Sequence, residues 1–358
     1  MPALRSFVPG AWGRLRSGPH PDRARQDAET LLLNVLGQSK AWFLAHLDDD
    51  FPEDQAQRFG ELVERRYRGE PIQYILGEAE FYGLPFRVTP AVLIPRPETE
   101  HLVEEALQVA ASFPQPRILD IGTGSGAIAI AVASALKGRG IRRTDEANQT
   151  IGAFQAAEKG RVSDESSQTH ASGAKAQVGF TALAARLKSC PDASSLPEGV
   201  FPQPVLAHEG PTFCVTAVDL SPEALAIARE NAERNGVSIR FLQGDLLAPV
   251  EGEQFHLILS NPPYIPATDR PTLSVEVRDH EPALALFAGD DGLGIYRRLI
   301  PAAFEHLVPG GFLLLEIGYG QQADIEMLLA ASGFAAIEFI PDLQGIARVA
   351  CARRAVAA

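Results

Sequence analysis

The pentapeptide Ser260-Asn261-Pro262-Pro263-Tyr264 carries residue types that can hold a planar nitrogen group. Such a nitrogen is a weak nucleophile because its lone pair is delocalised, so a catalyst has to aim it at an electrophile. The side-chain oxygen of Asn261 and the backbone carbonyl of Pro262 can accept its two N–H bonds, and Tyr264 can stack on the planar group. Consecutive prolines lack competing N–H groups and fix φ, which holds the acceptors in place before a substrate arrives. The structural alternative is a tight turn that leaves a strand.

A glycine-rich turn, Gly122-Thr123-Gly124-Ser125-Gly126, stands between an apolar run of strand length and a helical segment that starts near Ala127. Glycine lets the backbone adopt positive φ and approach a ligand closely, and the N–H groups at a helix start can bind an anion. The turn therefore predicts a nucleotide-like cofactor. A nicotinamide-binding turn has a similar pattern and a purely structural turn is also open, so other residues have to decide.

Acidic residues stand where two later strands end. Asp219 follows the second predicted strand, and a carboxylate there can accept both hydroxyls of a ribose in nicotinamide and adenosylmethionine folds alike. Asp245 and Leu246 follow the third strand, where an acid can lie near an adenine amino group and an apolar side chain near its ring. Ordinary solvated aspartates are the structural alternative at both places.

The elements that must position these residues follow a regular pattern. From residue 117 onward, apolar runs of strand length alternate with helical segments, which is typical of a parallel sheet with helices on both faces. The predicted strands are Arg117–Ile121, Cys214–Val218, Ile239–Leu242, Phe255–Leu259, Phe312–Ile317, Ile337–Ile340 and Ala347–Ala352. The turn before the last strand is too short for a helical crossover, so that strand should run antiparallel. The pattern resembles the Rossmann-like α/β sheet of class I methyltransferases.

The chain before this sheet is predicted to be helical. Helices are expected at Asp27–Leu36, Ser39–Leu47 and Pro52–Arg68, and Pro52 suits a first helical position. Together they predict a small helical bundle. Residues Glu80–Ile94 alternate apolar residues around Gly83-Leu84-Pro85, which predicts a hairpin that joins the bundle to the sheet.

Composition narrows the class of partner. The 45 acidic and 32 basic residues give a formal net charge of -13, which argues against binding through phosphate neutralisation. Cys190, Cys214 and Cys351 form no CxxC pair, which favours a reducing compartment and no metal site. With no apolar run long enough for a membrane span and no secretory signal pattern, a soluble cytoplasmic protein is expected. The basic residues Arg5, Arg14 and Arg16 weakly resemble an organelle transit peptide.

Taken together, the glycine turn, Asp219 and Asn261-Pro262-Pro263-Tyr264 resemble methyltransferases that act on planar nitrogens. That group includes adenine-modifying DNA enzymes and the PrmC/HemK release factor glutamine methyltransferases. Further segments are similar to the second family, and they extend over nearly the whole chain outside one insertion. They are the stretch from Gly69 to Gly77, Phe81, Leu93 to Glu100, Glu276 to Leu286, Asp291 to Leu293 and Ile295 to Arg298.

The resemblance implies a domain organisation and an activity. Residues 1–78 would form a helical domain that docks the substrate, residues 79–97 a β-hairpin linker, and residues 98–355 the methyltransferase domain. The reaction would move a methyl group from S-adenosyl-L-methionine to the side-chain amide nitrogen of the glutamine in the Gly-Gly-Gln motif of peptide chain release factors. A monomer is expected, with no direct nucleic-acid partner and no membrane.

The resemblance also implies roles for single residues. Catalysis and amide binding would fall to Asn261, Pro262, Pro263 and Tyr264. The cofactor would contact Gly122, Thr123, Gly124, Ser125, Gly126, Asp219, Asp245, Leu246 and Asn261. Phe81, Pro95 and Arg96 would wall the substrate pocket, although Arg96 fits a structural ion pair equally well.

Two other functions stay open at this point. An adenine-N6 methyltransferase acting on DNA or RNA could use the same Asn-Pro-Pro-Tyr pocket on a flipped base. The acidic charge and the lack of a separate recognition domain speak against it. A non-catalytic scaffold with a methyltransferase fold is the third possibility, and the intact pocket speaks against that.

One segment departs from the family pattern. Asp219 lies 93 positions after Gly126 (219 − 126), whereas a glycine turn and its ribose acid are usually separated by roughly 20 residues. An insertion of about 70 residues is therefore predicted at about 137–211, and its Gly, Ser, Ala, Gln and charge-rich composition predicts disorder. Its place in the topology puts it at the edge of the sheet opposite the site.

Overall fold

Helices make up most of the chain up to residue 76 in the computed structural model, which describes residues 2–139 and 213–356. They are α1 (Phe7–Leu15), α2 (Ala24–Leu36), α3 (Lys40–Ala45), α4 (Glu53–Tyr67) and α5 (Ile72–Leu76). The predicted helices correspond to α2, α3 and α4. Pro52 was expected inside the last of them but is its N-cap, because its ψ of 141° is extended rather than helical.

These helices share one core. Leu31 and Leu32 of α2, Phe59 of α4 and Phe51 before it are buried against one another. The unpredicted helix α1 belongs to the same core through Ala11 and Leu15. Its basic residue Arg14 pairs with Glu64 at 2.8 Å and lies over the Tyr67 ring, so the basic N-terminal segment is an integral part of this bundle.

A β-hairpin follows the helices, and it begins earlier and ends sooner than the predicted stretch Glu80–Ile94. Strand β1 (Glu78–Phe81) pairs antiparallel with β2 (Leu84–Arg87). Tyr82 and Gly83 in the turn both have positive φ, 52° and 69°, which is the geometry that matches the twist of a two-residue hairpin. The domain boundaries at residues 78 and 97 stay predictions.

Seven strands form the main sheet, and the predicted fold class is confirmed. The strands are β3 (Arg117–Ile121), β4 (Cys214–Asp219), β5 (Arg240–Gln243), β6 (Phe255–Ser260), β7 (Leu307–Glu316), β8 (Phe334–Pro341) and β9 (Ala347–Arg354). Their order is β5-β4-β3-β6-β7-β9-β8, and β9 runs antiparallel to both of its neighbours. The carboxyl ends of β3, β4 and β6 meet at one edge, where α/β sheets bind ligands.

Helices cover the sheet. They are α6 (Glu100–Ala110), α7 (Ala127–Arg139), α8 (Pro222–Arg234), α11 (Gly294–His306) and α12 (Gln322–Ala331). Two short helices, α9 (Val275–His280) and α10 (Ala283–Leu286), lie between β6 and α11 in the chain and contribute residues to the clefts described below. Central strands such as β3 and β6 are buried on both faces, which explains why apolar residues predominate in them. None of the helices among the described residues is long and apolar enough to cross a membrane.

Buried charges join the N-terminal helices to α9. The guanidinium of Arg66 on α4 pairs with Asp27 of α2 at 2.6 Å and with Glu276 of α9 at 2.5 Å. Its side chain is 2% exposed, so losing either partner would leave a buried charge poorly compensated. This network holds the helical segment beside the part of the chain that borders the site.

The predicted insertion lies mostly outside the described residues. Helix α7 continues to Arg139, a little beyond the expected start at 137, and the description resumes at Phe213, just before β4. Both points belong to the amino-terminal edge of the sheet, opposite the carboxyl ends of β3, β4 and β6.

Candidate active site

The Asn-Pro-Pro-Tyr corner leaves the end of β6 and borders two adjoining clefts. Its entry is fixed by Ser260, whose hydroxyl donates to the carbonyl of Ile121 at the end of β3 at 2.7 Å. Asn261 and Pro262 line both the larger cleft, of about 970 Å³, and the smaller one, of about 570 Å³. The corner therefore stands at the junction of the two spaces.

Most residues that were predicted to contact a cofactor lie on the larger cleft. Gly122, Gly124, Asp219, Asp245, Leu246 and Asn261 all line it, together with Pro262 and Pro263 of the corner. Gly122 and Gly124 have positive φ, 71° and 56°, and a Cβ at either position would project into open space. The turn thus presents bare backbone to the cleft, as its glycines predicted.

Asp219 holds the glycine turn and faces the cleft at the same time. Its Oδ2 accepts the backbone N–H of Gly124 at 2.8 Å, and its Oδ1 accepts that of Ser221 at 2.9 Å. Burial raises the pKa of Asp219, while these backbone hydrogen bonds lower it. Ser221 caps α8 as expected, because its hydroxyl accepts the N–H of Ala224.

The other members of the glycine turn face inward. The Thr123 hydroxyl donates to Asp120 at 2.6 Å, and burial raises the pKa of that aspartate to about 7. Ser125 is buried, and its carbonyl accepts the side chain of Asn231. A Cβ on Gly126 would come within 2.7 Å of Ile130, so this glycine allows close helix packing. Thr123, Ser125 and Gly126 support the turn and do not line the cleft.

Asp245 and Leu246 also line the larger cleft. Asp245 is exposed and pairs with Arg298, so its carboxylate is partly engaged within the protein. Leu246 has a φ of 51°, a strained conformation for a residue with a branched side chain, and such strain concentrates at functional sites. This backbone conformation places an apolar side chain on the cleft.

The corner offers two unused acceptors. The side-chain nitrogen of Asn261 donates to the Thr99 hydroxyl at 3.1 Å, and that hydroxyl donates to Glu316 at 2.6 Å. The Asn261 side-chain oxygen and the Pro262 carbonyl accept no hydrogen bond from the residues that the structure describes. A planar nitrogen with two N–H bonds can be held by this pair of oxygens.

Tyr264 is held at both ends. Its hydroxyl donates to Glu316 at 3.4 Å, and its backbone carbonyl accepts the side-chain amide of Gln321 at 3.0 Å. Burial and the nearby Glu316 carboxylate raise the pKa of Tyr264. Burial also raises the pKa of Glu316 to about 7, whereas the hydrogen bonds from Thr99 and Tyr264 lower it.

The smaller cleft has mainly apolar walls. Leu93, Ile265, Leu273, Val277 and Leu286 line it, together with Tyr264 and Arg96. Arg96 also donates to the buried carboxylate of Glu281 at 2.5 Å. It is therefore both a wall residue and an ion-pair partner, the two possibilities that the sequence left open.

Phe81 and Pro95 are not brought into either cleft. Phe81 is 1% exposed and packs edge-to-face on Phe86 with ring centroids 6.0 Å apart. It shares the inward face of β1 with Ala79, because alternate strand residues point the same way. Pro95 is half-buried beside Arg96. Phe81 is part of the buried core that includes Phe86 and Leu102.

Sequence reasoning missed Thr99 and Glu316. Glu316 left a signal, since it is a single charged residue at the end of the apolar run Phe312-Leu313-Leu314-Leu315. Its carboxylate is 3% exposed, and a buried charge requires partners. Thr99 left none, because a threonine between two glutamates before a helix is expected to be an ordinary helix-start residue.

The strand order, the antiparallel β9 and the site at the carboxyl ends of β3, β4 and β6 define a class I methyltransferase. The family model of the PrmC N-terminal domain matches residues 12–77, and that of the methyltransferase small domain matches residues 199–276. The chain belongs to the release factor glutamine methyltransferase family, which confirms the resemblance found in the sequence.

Two relatives illustrate the similarity. The release factor glutamine methyltransferase of Koribacter versatilis is 34% identical over 331 residues, which cover 92% of this chain and 91% of the relative. That of Deinococcus radiodurans is 35% identical over 354 residues, with 98% and 99% covered. A solved structure of the release factor-specific protein-(glutamine-N5) methyltransferase from Alicyclobacillus acidocaldarius is 26% identical, with a TM-score of 0.34, covering 75% of this chain and 99% of that one.

Proposed function

We propose that this protein transfers a methyl group from S-adenosyl-L-methionine to the side-chain amide nitrogen of the glutamine in the Gly-Gly-Gln motif of peptide chain release factors. The observation that carries the proposal is the pair of unused acceptors on Asn261 and Pro262, placed where two clefts meet. Family membership supports the same substrate, since the relatives are named for it.

The larger cleft suits the cofactor. The bare backbone at Gly122 and Gly124 admits a bulky ligand, and Asp219 can accept ribose hydroxyls beside it. Leu246 offers an apolar surface for an adenine ring, and Asp245 can accept from its amino group. When bound, S-adenosyl-L-methionine supplies an electrophilic methyl group on a positively charged sulfonium.

The corner does the orienting. The Asn261 side-chain oxygen and the Pro262 carbonyl each accept one N–H of the substrate amide, which leaves the remaining face of the nitrogen toward the larger cleft. Consecutive prolines keep these oxygens still. The nitrogen becomes acidic once it is alkylated and cationic, so the corner needs no strong base. The rate of methyl transfer would come from positioning of the amide and exclusion of water.

The smaller cleft suits the glutamine and its neighbours. Tyr264 can stack on the carboxamide, and Arg96 borders the same space. Phe81 and Pro95, which the family resemblance assigned to the pocket wall, do not line this cleft. The N-terminal helices, fixed to α9 through Arg66 and Glu276, would dock the body of the release factor. We propose that the enzyme acts as a monomer in the cytoplasm and does not use nucleic acid as a substrate.

Labelled S-adenosyl-L-methionine tests the proposal directly. The protein is incubated with a purified release factor, with the same factor carrying Gln→Ala in its Gly-Gly-Gln motif, and with DNA. Label is expected only on the release factor that keeps its Gly-Gly-Gln glutamine, and not on the Gln→Ala factor or on DNA. Label on DNA and not on the factor would favour adenine methylation, and cofactor binding without any transfer would favour a scaffold.

Deletion of residues 140–210, with a short flexible linker joining the ends, should leave methyl transfer to the release factor unchanged. The reason is topological, because the segment leaves and returns at the edge of the sheet opposite the two clefts. Initial rates of labelling for the deleted and full-length chains give the comparison. A folded deletion variant that binds cofactor but has lost transfer would contradict the expectation.

A further inference from the structure

A chain of hydrogen bonds runs from the Asn-Pro-Pro-Tyr corner to the end of β7. The side-chain nitrogen of Asn261 donates to the Thr99 hydroxyl at 3.1 Å, and that hydroxyl donates to Glu316 at 2.6 Å. Thr99 and Glu316 are 4% and 3% exposed, and neither lines the clefts. Any effect they have on the site is therefore indirect, through their hydrogen bonds to Asn261 and Tyr264.

The Glu316 carboxylate determines which group donates in each of these hydrogen bonds. When Glu316 is ionised its carboxylate only accepts, so the single hydroxyl proton of Thr99 is used toward Glu316. Toward Asn261 the Thr99 oxygen can then only accept, which selects the nitrogen end of the Asn261 amide. The oxygen end of that amide is left facing the space where the clefts meet. With Glu316 ionised, the reversed amide would leave the carboxylate or the hydroxyl without a partner, at a cost that buried groups avoid.

The same carboxylate also reaches the second half of the corner. Its other oxygen accepts the Tyr264 hydroxyl at 3.4 Å, so both oxygens are engaged. The backbone of Glu316 is fixed as well, because its carbonyl accepts the hydroxyl of the fully buried Tyr296 at 2.7 Å. One rigid strand end thus orients Asn261 and Tyr264 together.

We propose that Thr99 and Glu316 are positioning residues that lock the Asn261 side chain with its oxygen toward the substrate amide, an inference that rests on the proposed function. Without the lock, the Asn261 amide can turn and present its N–H groups to the substrate N–H groups. Such a rotamer is unproductive, because donors then face donors. The lock therefore raises the fraction of enzyme that is ready to react.

Thr99→Val removes the hydroxyl and keeps the shape of the side chain. We expect kcat for release factor labelling to fall roughly tenfold, while KM for the factor and Kd for S-adenosyl-L-methionine stay within about twofold. Thr99→Ser restores the hydroxyl and should recover most of kcat. Thr99→Ala removes the same hydroxyl with a smaller side chain and is measured alongside, with the same expected loss, so that the result does not depend on the folding of one variant.

Thr216→Val is the matched control. Thr216 is equally buried in β4, its hydroxyl accepts from Arg240 at 3.2 Å, and it lies outside both clefts, so its loss should leave kcat unchanged. A wild-type kcat in Thr99→Val, or a Thr99→Ser variant as slow as Thr99→Val, would overturn the inference while leaving the proposed function standing. Absence of label with the wild-type enzyme would overturn both.

Discussion

Asn261→Ala should lower kcat for release factor methylation by roughly 10²-fold, with little change in Kd for S-adenosyl-L-methionine. The substitution removes one of the two oxygens proposed to hold the amide, and the Pro262 carbonyl alone would then fix a single N–H. The nitrogen can then swing away from the methyl group, which costs rate far more than it costs binding. Single-turnover labelling gives the rate, and isothermal titration gives the cofactor affinity.

Asn235→Ala is a suitable control for that experiment. Asn235 follows α8, donates to the carbonyls of Pro85 and Asn231, and lies outside both clefts. Its kcat should stay within about twofold of the wild-type value, as is usual away from special features. If Asn261→Ala instead weakened cofactor binding as much as it slowed transfer, Asn261 would be a cofactor residue and its assignment to the amide would be wrong.

The main sheet was predictable because buried parallel strands have a simple signature. Strands β3 and β6 are covered by helices on both faces, so most of their residues are apolar and their limits could be predicted within a residue. Strand β7 was predicted too short, since it begins at Leu307 and passes through Pro309-Gly310-Gly311. Proline and glycine normally interrupt a strand, so this first half had no recognisable pattern.

Helix α1 escaped prediction for a different reason. Its sequence contains Pro9, Gly10 and Gly13, all poor helix formers, and its basic residues suggested a targeting segment. Packing overrides those propensities, because Ala11 and Leu15 are buried in the helical core and Arg14 finds Glu64 on α4. Contacts of this kind join residues about 50 positions apart, which no local pattern can reveal.

The site was predictable to the extent that it follows strand ends. Gly122 and Asn261 come directly after a strand and Asp219 is the last residue of one, and parallel strands bring their carboxyl ends to one edge. What the strand pattern could not reveal is which side chains face the cleft. Thr123 and Ser125 belong to the same turn as Gly122 but face inward, and Phe81 is buried in the core away from both clefts' linings.

The Thr99–Glu316 hydrogen bond is a contact that the sequence could not predict. Its two residues are 217 positions apart in the sequence, and they meet because α6 packs against β7. A sequence can indicate that a charge at the end of an apolar strand needs a partner, but not which hydroxyl supplies it. Supporting residues are therefore found from coordinates, whereas residues that must follow a strand end can be found from the sequence.

Asp219→Ala should weaken binding of S-adenosyl-L-methionine by roughly 10²- to 10³-fold, because hydrogen bonds to a charged group contribute about 1.5–3 kcal/mol each. Part of the loss would come from the protein itself. The carboxylate also accepts from the backbone of Gly124 and Ser221, so its removal loosens the glycine turn that borders the cleft. Asp219→Asn keeps one acceptor oxygen and should fall between the alanine variant and the wild type.

Isothermal titration of the cofactor into the three proteins separates these effects, with Asp54→Ala, an exposed aspartate in the first turn of α4, as the control. At saturating cofactor, the kcat of Asp219→Asn should approach the wild-type value, since Asp219 lines the larger cleft and not the smaller one. A full loss of kcat at saturation, with unchanged affinity, would instead place Asp219 in the reacting centre and contradict the division of labour between the two clefts.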